Sequence, residues 1–324
     1  MGAITQPTFG LFGDAGRRRT VIIAGGAAFA TSLLLASVAS SFATLLVALT
    51  LFGTASGAFV SLSQAALMDS DTRGHEQNMA RWVVAGSVGV VLGPLAMVAF
   101  VRAGLGWRGA FLGLAIATLP FVILAGRVRI GESFGTSFRE ALRRAVGAAR
   151  DVKVLRWLIA LQLTDLLGDV FLGYVALYFV DVARTDPAIA AMAVVVWGLA
   201  GLLGDLPLLG ILRRVRGGSW LRASAAVAAV AYPCFLAVPW VIPKLILVGV
   251  LALVRAGWYA IPQAGLFDEM PGASGAAIAL ADLSGLLGSS LLPLGVGLLA
   301  AHVGLGAAMW TLLAAPITIL ALIP

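Results

Sequence analysis

Five charged residues stand inside long apolar runs: Asp165, Asp169, Asp205, Arg255 and Asp282. A carboxyl withdrawn from water holds its proton more readily, and a nearby guanidinium favours its release. Acids and an arginine placed this way therefore suit the binding and release of a proton. Asp165 and Asp169 are four residues apart, so a continuous helix would put them on one face, with Thr164 and Tyr174 close by. Arg255 is the expected counter-charge to one of them. Packing ion pairs, or side chains reaching an interface, would use the same residue types, and the sequence leaves both readings open. A second group, Tyr174, Trp197, Trp258, Tyr259 and Gln263, has the composition of an aromatic, weakly polar pocket for a small amphipathic solute.

The elements that must carry these residues are written in the composition. Of 324 residues, 60% are hydrophobic and only 11% charged, with a mean hydropathy of +1.01. A water-soluble surface needs more charge than that. The 39 glycines suit helices that pack closely in lipid through small residues. Apolar runs long enough to span a bilayer occur at 20–39, 43–68, 82–101, 109–126, 155–180, 188–212, 220–241, 244–267, 274–301 and 305–323. The expected fold is an all-α membrane protein of about ten transmembrane helices.

If the segment before the first run is cytoplasmic, the cytoplasmic loops carry 17 of the 22 basic residues. The opposite side carries only Arg102, Arg108, Arg184 and Lys244, and Arg255 falls within a run. Both termini are thus expected in the cytoplasm. Residues 127–154 form a basic linker, read as a helix at the membrane surface between two bundles. The formal charge of +7 lies in short clusters between apolar runs, which suits anionic lipid rather than nucleic acid. The single cysteine, Cys234, excludes an internal disulfide, and two histidines, His75 and His302, give little for a metal site. His75 is expected in a cytoplasmic loop and His302 near an outer helix end, and both read as ordinary interface residues. No cofactor is expected.

The chain also repeats itself. Gln64-Ala65-Ala66-Leu67-Met68-Asp69 returns as Gln263-Ala264-Gly265-Leu266-Phe267-Asp268, 199 residues later. The same offset pairs Gly86 with Gly285, Gly89 with Gly288 and Pro94 with Pro293; one residue more pairs Gly104-Leu105-Gly106 with Gly304-Leu305-Gly306. Two parallel repeats follow. The runs at 155–180 and 188–212 then lack counterparts, so two spans are expected to be missing from the first half. The organisation read from this is an incomplete amino-terminal bundle (1–126), the linker (127–154) and a six-helix carboxy-terminal bundle (155–324).

Three short segments resemble the major facilitator superfamily. Gly10-Leu-Phe-Gly-Asp14-Ala-Gly16-Arg17-Arg18-Arg19 resembles that family's loop between its second and third helices. The resemblance implies a cytoplasmic gating role for Gly10, Asp14, Gly16, Arg17 and Arg18. One residue separates Asp14 from Gly16, a departure from the family pattern. Gly89-Val-Val-Leu-Gly93-Pro94 is similar to the glycine–proline motif of efflux members, and Gly86, Gly89, Gly93 and Pro94 are expected to form a close-packing face. Met97-Val98 replaces the glycine pair that usually follows. Trp107-Arg108 resembles a pair at the outer interface. The family's arginine of the fourth helix is absent near Leu49 and Thr50.

What the resemblance implies is a secondary active transporter, proton-coupled and exporting a small organic or drug-like solute. It would work as a monomer in a bacterial inner membrane, with the bilayer, the solute and protons as partners. The alternative is a non-transporting sensor or scaffold, or an inactive truncated transporter. An intramembrane aspartyl protease is excluded by the lack of G-x-G-D and Tyr-Asp motifs: Gly168-Asp169 and Gly204-Asp205 each follow two leucines. No G-x-x-x-x-G-K-[ST] loop is present for ATP-driven transport. The expected protein is not an enzyme.

Overall fold

The computed structural model describes residues 8–13, 18–71, 74–127 and 138–323. Among them there are helices and turns and no strand, as an apolar solvent demands of any chain that cannot close a barrel. Among the described residues nine helices are long and apolar enough to cross a membrane: Arg18–Ser37, Phe42–Ser70, His75–Arg102, Gly106–Arg127, Val152–Asp181, Pro187–Ile211, Gly217–Ala237, Ser274–Val303 and Leu305–Leu322.

The expected run 244–267 is different. It divides into Val241–Val254 and Ala260–Glu269 around a turn in which Gly257 takes φ +87°. Hydropathy could not reveal this, because both halves are apolar. The signal was local: Arg255-Ala256-Gly257 supplies the residue that adopts a left-handed backbone at no steric cost. The first repeat has an irregularity at the matching place, a π-helical turn at Gly57–Ser61. Both copies of the repeat are thus interrupted at the same depth.

Span Val152–Asp181 is also broken. Its α-helix ends at Thr164, a 3₁₀ turn covers Asp165–Leu167, and a new helix starts at Asp169. The turn therefore separates the two acids that a continuous helix would hold on one face. Elsewhere the ends follow ordinary chemistry. Ser41 accepts a hydrogen bond from the Thr44 N–H, and Asp186 from the Ala188 N–H with Pro187 in the first turn. Gly104 and Gly304, matched by the repeat, turn the chain at φ +75° and +86°.

The described residues group into two compact units. One comprises residues up to His75 together with Leu92–Val154 and Leu266–Leu283; the other comprises Glu76–Val91, Leu155–Gly265 and Ser284 onward. In the first, Arg18–Ser37 packs on Gly106–Arg127 and on Phe42–Ser56. Small residues allow the approach: a Cβ on Gly25 would sit 2.7 Å from the Ala58 Cβ, and one on Gly26 2.7 Å from Val122 Cγ2. Helix Phe138–Ala148 of the linker belongs to this unit and carries a Glu140–Arg144 pair at 3.1 Å.

The second unit holds a core of Phe171, Phe179, Trp197, Tyr232, Phe235 and Trp258. Pro187–Ile211 packs closely on Val241–Val254, where Gly204 faces the Leu253 carbonyl; a Cβ there would stand 2.7 Å from that oxygen. The expected close-packing face at Gly86, Gly89 and Gly93 is not found: a Cβ on any of them meets nothing within 4 Å. Those glycines stand on exposed helix surface, so their small size is not used for contact among the described residues.

Candidate functional site

Among the described residues two polar clusters stand out, one in each unit. In the second unit the charged residues collect around the two helix breaks. Asp165, partly buried, lies in the 3₁₀ turn, and Asp169 opens the following helix, exposed at its amino-terminal end. Arg255 caps Val241–Val254 at the other break, with its guanidinium 5.3 Å from the centre of the Trp197 ring. Among the described residues its Nε is buried without a hydrogen-bond partner. The guanidinium acts electrostatically on both Asp165 and Asp205.

Asp205 is buried and accepts a hydrogen bond from Ser87 Oγ at 2.5 Å. Two of the acids expected from sequence, Asp165 and Asp205, are thus brought within electrostatic reach of one cation. Asp282 belongs to the other unit; its Oδ2 is buried with no partner among the described residues.

The expected aromatic pocket is only partly a group of available side chains. Trp258 is buried, with Nε1 donating to Ser224 Oγ at 2.9 Å, and Gln263 is buried too. Trp197 packs on Phe171 with ring centres 4.8 Å apart. Tyr174 donates its hydroxyl to the Pro293 carbonyl at 2.9 Å, and Tyr259 is exposed. Trp258 and Trp197 act as core packing, because large aromatic faces between helices fill space that aliphatic chains leave.

Lys244, counted from sequence as a loop charge, is buried beneath Tyr178 and Phe235. Its Nζ donates to Tyr178 Oη at 3.0 Å and to the Phe235 carbonyl at 2.6 Å. It serves carbonyls left open at the end of Gly217–Ala237.

The cluster in the first unit surrounds Asp69. Arg18, nearly fully buried, donates through Nη1 to Asp69 Oδ2 and through Nη2 to Ser274 Oγ at 2.9 Å. Ser274 Oγ donates to the same Asp69 oxygen at 2.7 Å, closing a triangle. Beside it, His75 Nδ1 lies 2.6 Å from Asp268 Oδ1, and the imidazole stands against Phe267. A Cβ on Gly10 would collide with the Gly275 carbonyl, so that glycine permits a close approach to the start of Ser274–Val303. Of the expected gating residues, Asp14, Gly16 and Arg17 lie outside the described residues. The sequence reading missed the roles of Asp69, Ser274 and His75, although Asp69 and Asp268 already stood at the ends of the repeated segments.

A lipid-embedded helical chain with a repeat, broken spans and charges at the breaks has the make-up of a secondary transporter. The Major Facilitator Superfamily model matches residues 1–291, and the chain belongs to that superfamily. Among solved structures it is similar to the E. coli fucose:proton symporter FucP, at a TM-score of 0.80 and 14% identity over 98% of this chain and 86% of that one. It is similar also to the human organic anion transporter MFSD10 (TM-score 0.67, 21% identity, 100% and 81% covered) and to the proton:xylose symporter XylE (0.67, 16%, 99% and 83%). At these identities the likeness is one of fold. No curated protein matches the sequence.

Proposed function

We propose that this chain is a proton-coupled transporter that exports a small organic or drug-like solute, with Asp165 as the proton-carrying group and Arg255 as the charge that sets it. The observation that supports this most is the placing of Asp165, Asp169 and Arg255 at two helix breaks in one unit. A broken helix leaves backbone dipoles and side chains free to serve an ion or solute rather than their own helix. Asp205, held by Ser87, is the second acid within reach of Arg255, and Asp282 a further proton-binding candidate. The proton coupling in the names of FucP and XylE agrees with this reading. The motif Gly89–Pro94 favours export.

In the same reading, residues 1–126 and 155–324 form the two bundles joined by the linker 127–154. The cluster at Arg18, Asp69 and Ser274 closes the cytoplasmic side, and a monomer works in a bacterial inner membrane with both termini in the cytoplasm. Purified protein in liposomes with an imposed proton gradient tests the function. The reading expects movement of an amphipathic solute that collapses with the gradient; indifference of every solute to the gradient would favour a sensor or scaffold.

A further inference from the structure

The linker helix Phe138–Ala148 has three distinct faces. Ala141 and Ala145 are buried, and Glu140 and Arg144 pair at 3.1 Å on another side. Phe138, Leu142 and Val146 recur every fourth residue and are exposed, so they form one apolar ridge. The Phe138 ring centre stands 4.9 Å from that of Phe12, itself exposed, which widens the ridge at one end. Helical spacing puts Arg139 and Arg143 along the edge of this ridge, away from the two alanines, and Arg150 follows in the turn that ends the helix. All three arginines are exposed. Among the described residues no carboxylate pairs with any of them.

We propose that this helix binds anionic phospholipid headgroups, with its ridge in the acyl boundary and Arg139, Arg143 and Arg150 on lipid phosphates. The chain itself brings the helix to that surface. Span Gly106–Arg127 precedes it and span Val152–Asp181 begins just after it, so both ends are tied near the level where hydrocarbon meets headgroups. The interface accepts an apolar ridge to a depth of about 5–10 Å and leaves the polar side in water. A guanidinium adds paired N–H donors that match the oxygens of a phosphate. A row of arginines beside the ridge therefore selects an anionic surface over a neutral one. A second copy of this helix would set arginines against arginines, which opposes association. The occupant of the ridge is the bilayer. None of the residues assigned to transport takes part, so the inference stands apart from the proposed function.

A spin label measures depth by its collisions with oxygen, which concentrates in lipid, and with a polar nickel chelate, which stays in water. The one native cysteine, Cys234, is replaced by Cys234→Ser in the full chain. Leu142→Cys then labels the ridge, and Gly147→Cys labels the far side, where a Cβ meets nothing within 4 Å. Each protein is placed in nanodiscs of phosphatidylcholine alone, or of phosphatidylcholine and phosphatidylglycerol in equal parts. The label at 142 should favour oxygen in the mixed discs and move toward water in phosphatidylcholine or at high salt. The label at 147 should stay in water throughout. A water-exposed label at 142 in both lipids would mean a solvated linker and overturn the proposal. A label shielded from both reagents in both lipids would mean that protein covers the ridge, and equal depth in both would remove the anionic headgroup; either result overturns it too. Mass spectrometry of the unlabelled chain with bound lipid gives an independent reading. Phosphatidylglycerol should be retained over phosphatidylcholine, and each of Arg139→Gln, Arg143→Gln and Arg150→Gln should lower that preference about fivefold, the worth of one basic residue at an anionic surface. Arg144→Gln, whose arginine is held by Glu140, should change it less. A preference that survives the triple replacement would overturn the assignment.

Discussion

Ser274 Oγ donates to Asp69 Oδ2 at 2.7 Å, and the repeat turns this single bond into one of a related pair. The offset of 199 carries Asp69 to Asp268 and His75 to Ser274. The second contact, His75 with Asp268 at 2.6 Å, is therefore the first with the two copies exchanged. Such exchange is what a two-fold relation produces: residue i of one copy meets j of the other, and j meets i. The repeat conserves the geometry while changing one partner from hydroxyl to imidazole. Among the described residues, the Asp69 side also takes an arginine, Arg18.

The two sides should differ in strength. Arg18 is almost wholly buried, so Arg18→Ala leaves Asp69 with one donor fewer and should destabilise the protein by about 3 kcal/mol. The double variant Arg18→Ala/Asp69→Asn should recover part of that loss. Thermal unfolding in detergent measures both, and equal losses in the single and double variants would count against the ion pair.

On the other side Asp268 is 57% exposed and screened by solvent. His75→Ala should cost only about 0.5 kcal/mol, visible as a small shift in the same unfolding assay. A loss as large as that of Arg18→Ala would mean that His75 supports more than its pair with Asp268.

Close helix approach is predicted at Gly204 and not at Gly198. The Cβ of Gly204→Ala would press on the Leu253 carbonyl, whereas Gly198 has nothing within 4 Å. Gly204→Ala should therefore destabilise by about 1–3 kcal/mol, and Gly198→Ala should leave stability unchanged. The comparison is made by denaturation of the two variants side by side.

Arg255→Lys keeps the charge but loses the flat guanidinium over Trp197. Initial transport rates should fall about tenfold, the scale of a desolvated cation–π contact. A rate equal to that of the native protein would show that the stack has no part in transport.

Much of the scaffold was legible because each signal was local or periodic. Apolar runs marked the spans, and the repeat paired Gly104 with Gly304, which both take positive φ. The acids inside apolar runs were equally visible. The breaks that separate Asp165 from Asp169 and divide 241–269 were not, since they change backbone geometry without changing hydropathy. Contacts such as Arg18 with Ser274, 256 residues apart, depend on how distant helices meet. Lys244 reads as a loop charge because nothing in the sequence announces the aromatic rings and carbonyls that enclose it.

The central claim is that Asp165 carries the coupled proton, and replacing it with an asparagine that cannot titrate tests this most directly. In proteoliposomes, Asp165→Asn should keep solute exchange at equilibrium while losing accumulation driven by a proton gradient. Gradient-driven transport at the native rate in that variant would contradict the account.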